Sequence, residues 1–388
     1  MVKRFAQLSL AVFLVLALAT VASAGFNVPN TTQKGTMLVF PLVQLNGTDL
    51  DTYFFIGNDD KKEIPVKCYW MDENQSIKDF MFTLTANQPV VFSAGYNPAG
   101  NGFNDPAKGS LVCFASTVED SGPVIHNHLY GYAALVYGED AQAVYYNAYS
   151  FRVNGGGANM ITFPIDGGGA QLNLSGDTGF DLCHKYLVTN FVPFDDTAEA
   201  AAHVAPWNEY APDLTLWPCK QDLRQDREPT FTKAKFDIWR WNETKLTGSH
   251  QCFKCFFEGF LHAIGDPANT AYYGDYIYKK KMTADQTQYR GPGANGTNFL
   301  AAVIGNADDA LPPIARMRIT GVKSDKVCGV ETVATGLLGV LVYGNPTGTA
   351  PFIYPEAAHT VHGAGWTATP GWVKIDVDDG TVPEAPAQ

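Results

Sequence analysis

Short apolar and aromatic runs broken by turn residues constrain this chain more than any other feature. In the first half they are Met37-Leu-Val-Phe-Pro-Leu-Val43, Thr52-Tyr-Phe-Phe-Ile56, Val66-Lys-Cys-Tyr-Trp70, Phe80-Met-Phe-Thr-Leu84, Pro89-Val-Val-Phe92, Leu111-Val-Cys-Phe114, Tyr132-Ala-Ala-Leu-Val-Tyr137 and Val144-Tyr-Tyr-Asn-Ala-Tyr149. Each has strand length and is rich in the side chains that suit a pleated surface. Between them stand Asn58-Asp-Asp-Lys-Lys62, Asn97-Pro-Ala-Gly-Asn-Gly102 and Gly138-Glu-Asp140, whose residues favour tight turns on steric grounds. An apolar period of 3.6 residues is nearly absent, the alanine-rich stretch from Thr197 to Val204 being the best match to a short helix. The pattern predicts an all-β chain of sandwich or barrel type.

From Asn154 to Gly179 the alternation fades, and Gly-Gly-Gly runs stand at 155–157 and 167–169. A linker or long surface loop over 154–182 follows from that composition. A second series of runs comes after it: Lys185-Tyr-Leu-Val-Thr189, Leu214-Thr-Leu-Trp217, Phe236-Asp-Ile-Trp-Arg-Trp241, Ala271-Tyr-Tyr-Gly-Asp-Tyr-Ile-Tyr278, Phe299-Leu-Ala-Ala-Val-Ile304, Ala315-Arg-Met-Arg-Ile319 and Leu337-Leu-Gly-Val-Leu-Val-Tyr343. Trp239 and Trp241 fall on one face of their strand, Ile238 and Arg240 on the other. The expected division is two antiparallel β-sandwich domains, 25–153 and 183–350, joined by the glycine-rich 154–182 and followed by an extension at 351–388.

The chain opens Met1-Val-Lys-Arg4, runs apolar from Leu8 to Ala22 and reaches Ala22-Ser23-Ala24, the small-x-small pattern of a signal peptidase site. A signal peptide at 1–24 and a secreted, periplasmic or extracellular protein beginning at Gly25 are therefore expected. The run is short for a membrane span and nothing comparable recurs, so no span is expected after cleavage. Loss of Lys3 and Arg4 moves the formal charge from −12 to −14, an excess that repels nucleic acid and anionic lipid. Sequons at Asn30, Asn46, Asn74, Asn173, Asn242 and Asn295 permit glycosylation in a eukaryotic host.

Thr36-Met-Leu-Val-Phe-Pro-Leu-Val43 with Tyr53-Phe-Phe-Ile-Gly-Asn58, then Ile125-His-Asn-His-Leu-Tyr-Gly-Tyr132 and Tyr145-Tyr-Asn-Ala-Tyr149, resembles a loosely defined group of secreted bacterial β-sandwich proteins of largely unknown role. The likeness covers chiefly residues 36–150, with a fainter echo at Leu182-Cys-His-Lys-Tyr-Leu-Val-Thr-Asn190. It implies immunoglobulin-like units and an exported location. It carries no catalytic motif.

Cys68, Cys113, Cys183, Cys219, Cys252, Cys255 and Cys328 make three pairs with one left over in an oxidising compartment. Structural disulfides are the first reading, each adding about 2–4 kcal/mol by restricting the unfolded chain. Cys68 and Cys113 are the two cysteines of the first unit, both mid-strand, and are expected to pair. Ser249-His-Gln-Cys-Phe-Lys-Cys-Phe256 places Phe256 where attached haem needs histidine, so haem is excluded there. Zinc at His250, Cys252 and Cys255 needs a tight turn and a fourth ligand, because an extended segment sends the two thiols to opposite faces. A redox pair lacks βαβ surroundings.

His126 and His128, flanking Asn127, share a face if extended and form a weak metal candidate with Glu119 or Asp120. His359-Thr-Val-His362 is weaker, since Gly363 and Gly365 argue for a loop, and Asp376-Val-Asp-Asp-Gly380 falls short of a calcium loop. Gly-x-Ser-x-Gly, His-Glu-x-x-His and Ser-x-x-Lys are missing, so neither a catalytic set nor a cofactor is expected. Trp366 and Trp372, in a glycine-bordered stretch, join Trp239 and Trp241 as interaction candidates. The expected function is a non-enzymatic structural or interaction protein of the cell exterior. Its partners are other copies or another extracellular protein, met through β edges or aromatic contacts. A glycan-binding or adhesive module is the alternative, and a metal-dependent or redox enzyme comes last.

Overall fold

The computed structural model describes residues 29, 31–47, 49–72, 77–98, 100, 102–103, 107–117, 124–137, 142–153, 171–173, 180–181, 183–191, 211–222, 231–240, 243, 245–260, 315–323, 335–345, 354–360 and 362–364. Among the described residues there are strands and no helix, as the run pattern predicts. No helix there is long and apolar enough to cross a membrane. The expected signal peptide and the helix expected at 197–204 lie outside the described residues.

The first strands are β1 (Met37–Leu45), β2 (Leu50–Asn58), β3 (Ile64–Asp72), β4 (Ile77–Leu84), β5 (Pro89–Ser93), β6 (Ala107–Ala115), β7 (Leu129–Tyr137), β8 (Gln142–Asn147) and β9 (Tyr149–Phe151). They form two antiparallel sheets, β4-β3-β6-β1-β9 and β5-β2-β7-β8. Then come β10 (Gln171–Asn173), β11 (Tyr186–Phe191), β12 (Ala211–Pro218), β13 (Lys220–Asp222), β14 (Phe231–Arg240), β15 (Lys245–Lys254), β16 (Phe257–Phe260), β17 (Ala315–Val322), β18 (Leu337–Asn345), β19 (Tyr354–Thr360) and β20 (His362–Ala364). These give the antiparallel sheets β15-β14-β17-β11-β20 and β16-β12-β18-β19, and a β10-β13 ribbon.

Three apolar layers bind the four larger sheets into a stack. Phe54, Ile56 and Leu135 of β5-β2-β7-β8 meet Phe40, Val66, Trp70 and Leu111 of β4-β3-β6-β1-β9 in the first layer. The other face of β4-β3-β6-β1-β9 is also apolar: Met37, Val39, Met71, Val112 and Phe114 pack with Trp217 of β12 and Leu338 of β18. Beyond these, Leu214, Leu216, Leu337 and Leu341 meet Phe236, Met317, Ile319 and Leu187. Strands β1 and β3 are buried at every position, which explains why their sequences read as continuous apolar runs where a half-exposed strand alternates. Pro41 sits inside β1, where it can donate no hydrogen bond, and the register with β6 shifts between Phe40 and Val43.

Covalent and polar ties reinforce the stack. Cys68 and Cys113 are directly opposite on β3 and β6 and are disulfide-bonded, with Cα atoms 4.1 Å apart. A second bridge joins Cys183 to Cys219, Cα atoms 6.2 Å apart, beside Trp217 and Leu338. Tyr149 Oη donates to the Gly339 carbonyl at 2.7 Å, from β9 to β18. Glu258 on β16 accepts from Gln44 Nε2 at 2.8 Å and from Lys108 Nζ at 2.5 Å, reaching β1 and β6.

Of the stretch expected as a linker, 154–170, 174–179 and 182 lie outside the described residues. Its other positions are built in: Gln171–Asn173 pairs with β13, Phe180 is buried, and Asp181 accepts from Arg152 N and Gln33 Nε2, each at 2.8 Å. Glycine content reports backbone freedom and leaves burial open.

Candidate functional site

The outward face of β5-β2-β7-β8 is the feature that packing leaves unexplained. On β2, Thr52, Phe54 and Ile56 point inward, which sends Tyr53 and Phe55 to the outside. On β7, inward Ala133 and Leu135 leave Tyr130 and Tyr132 outward. Val91 of β5 and Tyr145 of β8 complete the set. The four tyrosines and Val91 are exposed, from 36% for Tyr132 to 57% for Tyr145, and Phe55 is half-buried between them.

Register turns these residues into a surface. Val91, Phe55, Tyr132 and Asn147 lie in one row across the four strands, and Tyr53, Ala134 and Tyr145 in the next. The Phe55 and Tyr132 rings stack at 4.5 Å between centroids, 12° from parallel, and Tyr145 lies 6.1 Å beyond. Gly57 is what lets Tyr130 lie flat, because a Cβ there would stand 2.3 Å from Tyr130 Cζ. Asp51 marks one end, where burial pushes its carboxyl up and a hydrogen bond from Ser93 pulls the other way. Within the two rows the side chains are uncharged.

Sequence reasoning missed this face, because in Thr52-Tyr-Phe-Phe-Ile56 both alternations are apolar and neither announces itself as outward. The usable signal was tyrosine at 53, 130, 132 and 145, a ring whose hydroxyl tolerates water.

The histidine pair is placed but not gathered around one point. His126 Nε2–H donates to Asn58 Oδ1 at 2.9 Å, while His128 pairs with Asp59 at 3.0 Å. Lys34 also bonds Asp59. Their rings are 5.2 Å apart, yet among the described residues no group of three His, Cys, Asp or Glu could hold a metal ion. Glu119 and Asp120 lie outside them. Asn127 locks the loop: its Oδ1 accepts from Thr36 Oγ1 and Val153 N, each at 2.9 Å, and its Nδ2 donates to Val153 O. Burial, and secondarily His128, holds the His126 imidazole below its usual pKa, against the pull of Asp60 and Asp59. Burial raises the Asp59 carboxyl, but hydrogen bonds and charge from Lys34 and His128 leave it net lowered.

Along the Cys-x-x-Cys segment, Cys252 is in β15 opposite Lys233, and His250 is opposite Lys235. Cys255 follows at φ 35°, a left-handed turn into β16, buried, with its carbonyl accepting from Gln221 Nε2 at 2.8 Å. It stands outside the two bridges. Trp239 is on β14 under the Arg316 guanidinium, 4.5 Å from its ring. His359 and His362 fall in β19 and β20 rather than in the expected loop. Cys328, Trp241, Trp366, Trp372 and the acidic 376–380 lie outside the described residues.

No family model matches the chain, and no curated protein matches it. Two solved structures show distant likeness. A Thermotoga maritima protein, "Thermotoga maritima 1070", matches at TM-score 0.25 and 9% identity over 30% of this chain and 95% of its own. The "PBSX exported protein XepA" matches at TM-score 0.17 and 11% identity over 74% of this chain and 86% of its own. At such scores neither bears on function.

Proposed function

We propose that the chain is an exported, non-enzymatic structural or interaction protein of the cell exterior. It is built of two antiparallel sandwich units of immunoglobulin-like kind, and it meets other copies of itself through the tyrosine face. The observation that carries this is the uncharged outward row Val91, Phe55, Tyr132 with Tyr53 and Tyr145 beside it, all but the half-buried Phe55 exposed. Two disulfides fit an oxidising compartment. At roughly 200 Å² per large side chain, five partly exposed ones offer on the order of 400 Å², the size of patch that is often functional on a monomer. A stable protein interface takes about 800 Å² per partner, so this contact is weak alone and works in a multi-contact assembly.

The test is light scattering and electron microscopy of the chain from Gly25 onward, beside a Tyr132→Ser/Tyr145→Ser variant of unchanged circular dichroism. Assemblies that vanish in the variant support the reading. Assemblies indifferent to it overturn the reading. A glycan-binding role is the second reading, favoured by the hydroxyls rimming a neutral aromatic strip. It predicts a monodisperse protein whose tyrosine fluorescence changes on titration with neutral oligosaccharides.

A further inference from the structure

The layer between β4-β3-β6-β1-β9 and β16-β12-β18-β19 is apolar through its middle, but beside β16 it gathers an amine, a carboxamide and a carboxylate. Gln44 on β1 and Lys108 on β6 are direct partners in register. Alternation turns both toward β16, since Val43, Leu45 and Ala107 belong to the opposite layer. Glu258 comes from β16, whose Phe257 faces the other way. Its Oε1 accepts from Lys108 Nζ at 2.5 Å and from Gln44 Nε2 at 2.8 Å, so the two nitrogens meet at one oxygen. Directly opposed residues stand about 5 Å apart at Cβ, which lets a bond close between their side-chain ends.

The site is held and dry. Thr52 Oγ1 accepts from Gln44 N at 2.9 Å and donates to the Gln44 carbonyl at 2.8 Å, which fixes the residue that carries the carboxamide. Gln44 is buried, and the Lys108 and Glu258 side chains are nearly so. Burial excludes the water that would compete for an activated amide. Glu258 Oε2 is buried with no hydrogen-bond partner among the described residues, which leaves one carboxylate oxygen to carry a proton. The hydroxyls of Thr215, opposite Glu258 on β12, and of Ser110 on β6 are buried and unpartnered there too, so donors remain in this layer for an amide oxygen that gains charge. Desolvation offsets much of the attraction in a buried ion pair, and proton transfer from Nζ to the carboxylate yields the nucleophilic amine beside an amide carbon.

We propose that Lys108 and Gln44 join in an isopeptide bond, with Glu258 as the general acid–base that makes it. The Nζ ammonium gives one proton to Glu258, and the freed lone pair attacks Gln44 Cδ. Glu258 passes that proton to Nε2 and takes a second from Nζ. The Cδ–Nε2 bond then breaks, its electron pair leaving on ammonia, which removes the second proton as ammonium and restores the carboxylate. Neither oxidant nor cofactor enters, and holding both reactants in one fold supplies the rate. The bond staples β1 to β6 farther along β6 from Cys113, and reductant does not open it. The inference goes beyond the contact reading and does not depend on the tyrosine face.

Mass spectrometry of the purified, folded protein tests it. With its disulfides reduced, the wild type is expected to weigh one ammonia, about 17 Da, less than the sum of its residues. Trypsin should fail to cut after Lys108 and should release one branched peptide carrying both Gln44 and Lys108. Gln44→Leu, which removes the electrophile, Lys108→Arg, which keeps the charge without the nucleophile, and Glu258→Gln, which removes the proton carrier, should each show full mass, with circular dichroism confirming the fold. A wild type of full mass that is cut after Lys108 overturns the proposal, whether or not any variant folds. A link that survives in Glu258→Gln overturns the role given to Glu258. Tyr132→Ser/Tyr145→Ser should carry the link unchanged, so the link and the contact reading stand or fall separately.

Discussion

His126 lies buried with Nε2–H donated to Asn58 Oδ1, and its Nδ1 faces Asp60 at 3.8 Å. The orientation of the Asn58 amide is fixed independently, because its Nδ2 donates to Lys62 O at 2.7 Å and Thr85 O at 3.1 Å while Asp60 N donates to its Oδ1. A proton added to His126 enters a site short of water, with His128 close by, and Asp59 and Asp60 compensate only in part. The folded-state pKa is thus below the unfolded value of about 6.5, so between the two the unfolded chain binds the proton and the folded chain does not. Stability is full above about pH 6.5 and falls as pH drops toward the lower pKa, by at most about 1.4 kcal/mol per pH unit. Asp59, with its pKa lowered, loses its own contribution only at stronger acid, below the carboxylate's usual value of 3.8. Urea midpoints of the wild type should therefore decline from about pH 7.5 to about pH 5. His126→Gln, whose amide can still donate to Asn58, should flatten that decline. Equal slopes in the two proteins would assign the acid response elsewhere.

Strand β16 is short, yet Glu258 makes it a joint between sheets. Its carboxylate receives Gln44 and Lys108 from β1 and β6 with both charged side chains almost covered, at 11% and 6% exposure. Removing only the carboxylate leaves a cation in a dry site, so Glu258→Leu should destabilise by about 3–5 kcal/mol. Lys108→Met/Glu258→Leu, which removes both charges, should recover much of that loss, as read from urea midpoints at unchanged slope. A double variant as unstable as the single one would mean that packing, not charge, holds the joint. This joint was invisible in the sequence, because residues 44, 108 and 258 meet only through the stacking of sheets. Strand identity was legible: the runs at 37–43, 52–56 and 66–70 lie inside β1, β2 and β3. The Cys68–Cys113 bridge was legible too, since two cysteines in mid-strand had one available arrangement. Which alternation faces out was not, wherever both were apolar. The basic pairs Lys233-x-Lys235 and Arg316-x-Arg318 each alternate visibly in the sequence, but the pairing of β14 with β17 that sets Arg318 opposite Asp237 is a tertiary fact.

At the scale of the molecule, the sheet β4-β3-β6-β1-β9 is covered on both faces along β1 and β3, and solvent reaches it at the edge strand β4. Met37, Val39, Met71 and Val112 are fully buried against Trp217 and Leu338, although those partners follow more than a hundred residues later. A unit meant to fold alone would carry polar residues across the middle of that face, as half-exposed antiparallel sheets do, whereas here the middle is apolar and a polar pair, Lys67 with Asp79, stands toward the β4 edge. The first half of the chain instead matches its apolar outer face to β12 and β18, with Tyr149 bonding Gly339 across the same layer. Two consequences follow for unfolding. Trp217→Ala, opening a cavity in this shared layer, should cost about 3–5 kcal/mol and lower the stability of both halves together. Far-ultraviolet circular dichroism and tryptophan fluorescence should then report one coincident transition in wild type and variant alike. Residues 25–153 expressed alone should expose that apolar sheet face, a patch that drives aggregation, and be recovered insoluble or bound to hydrophobic dye. A soluble, monomeric 25–153 with a cooperative transition of its own would show that the layer is a docking surface between independently folding units, and the expectation of one shared transition would fail.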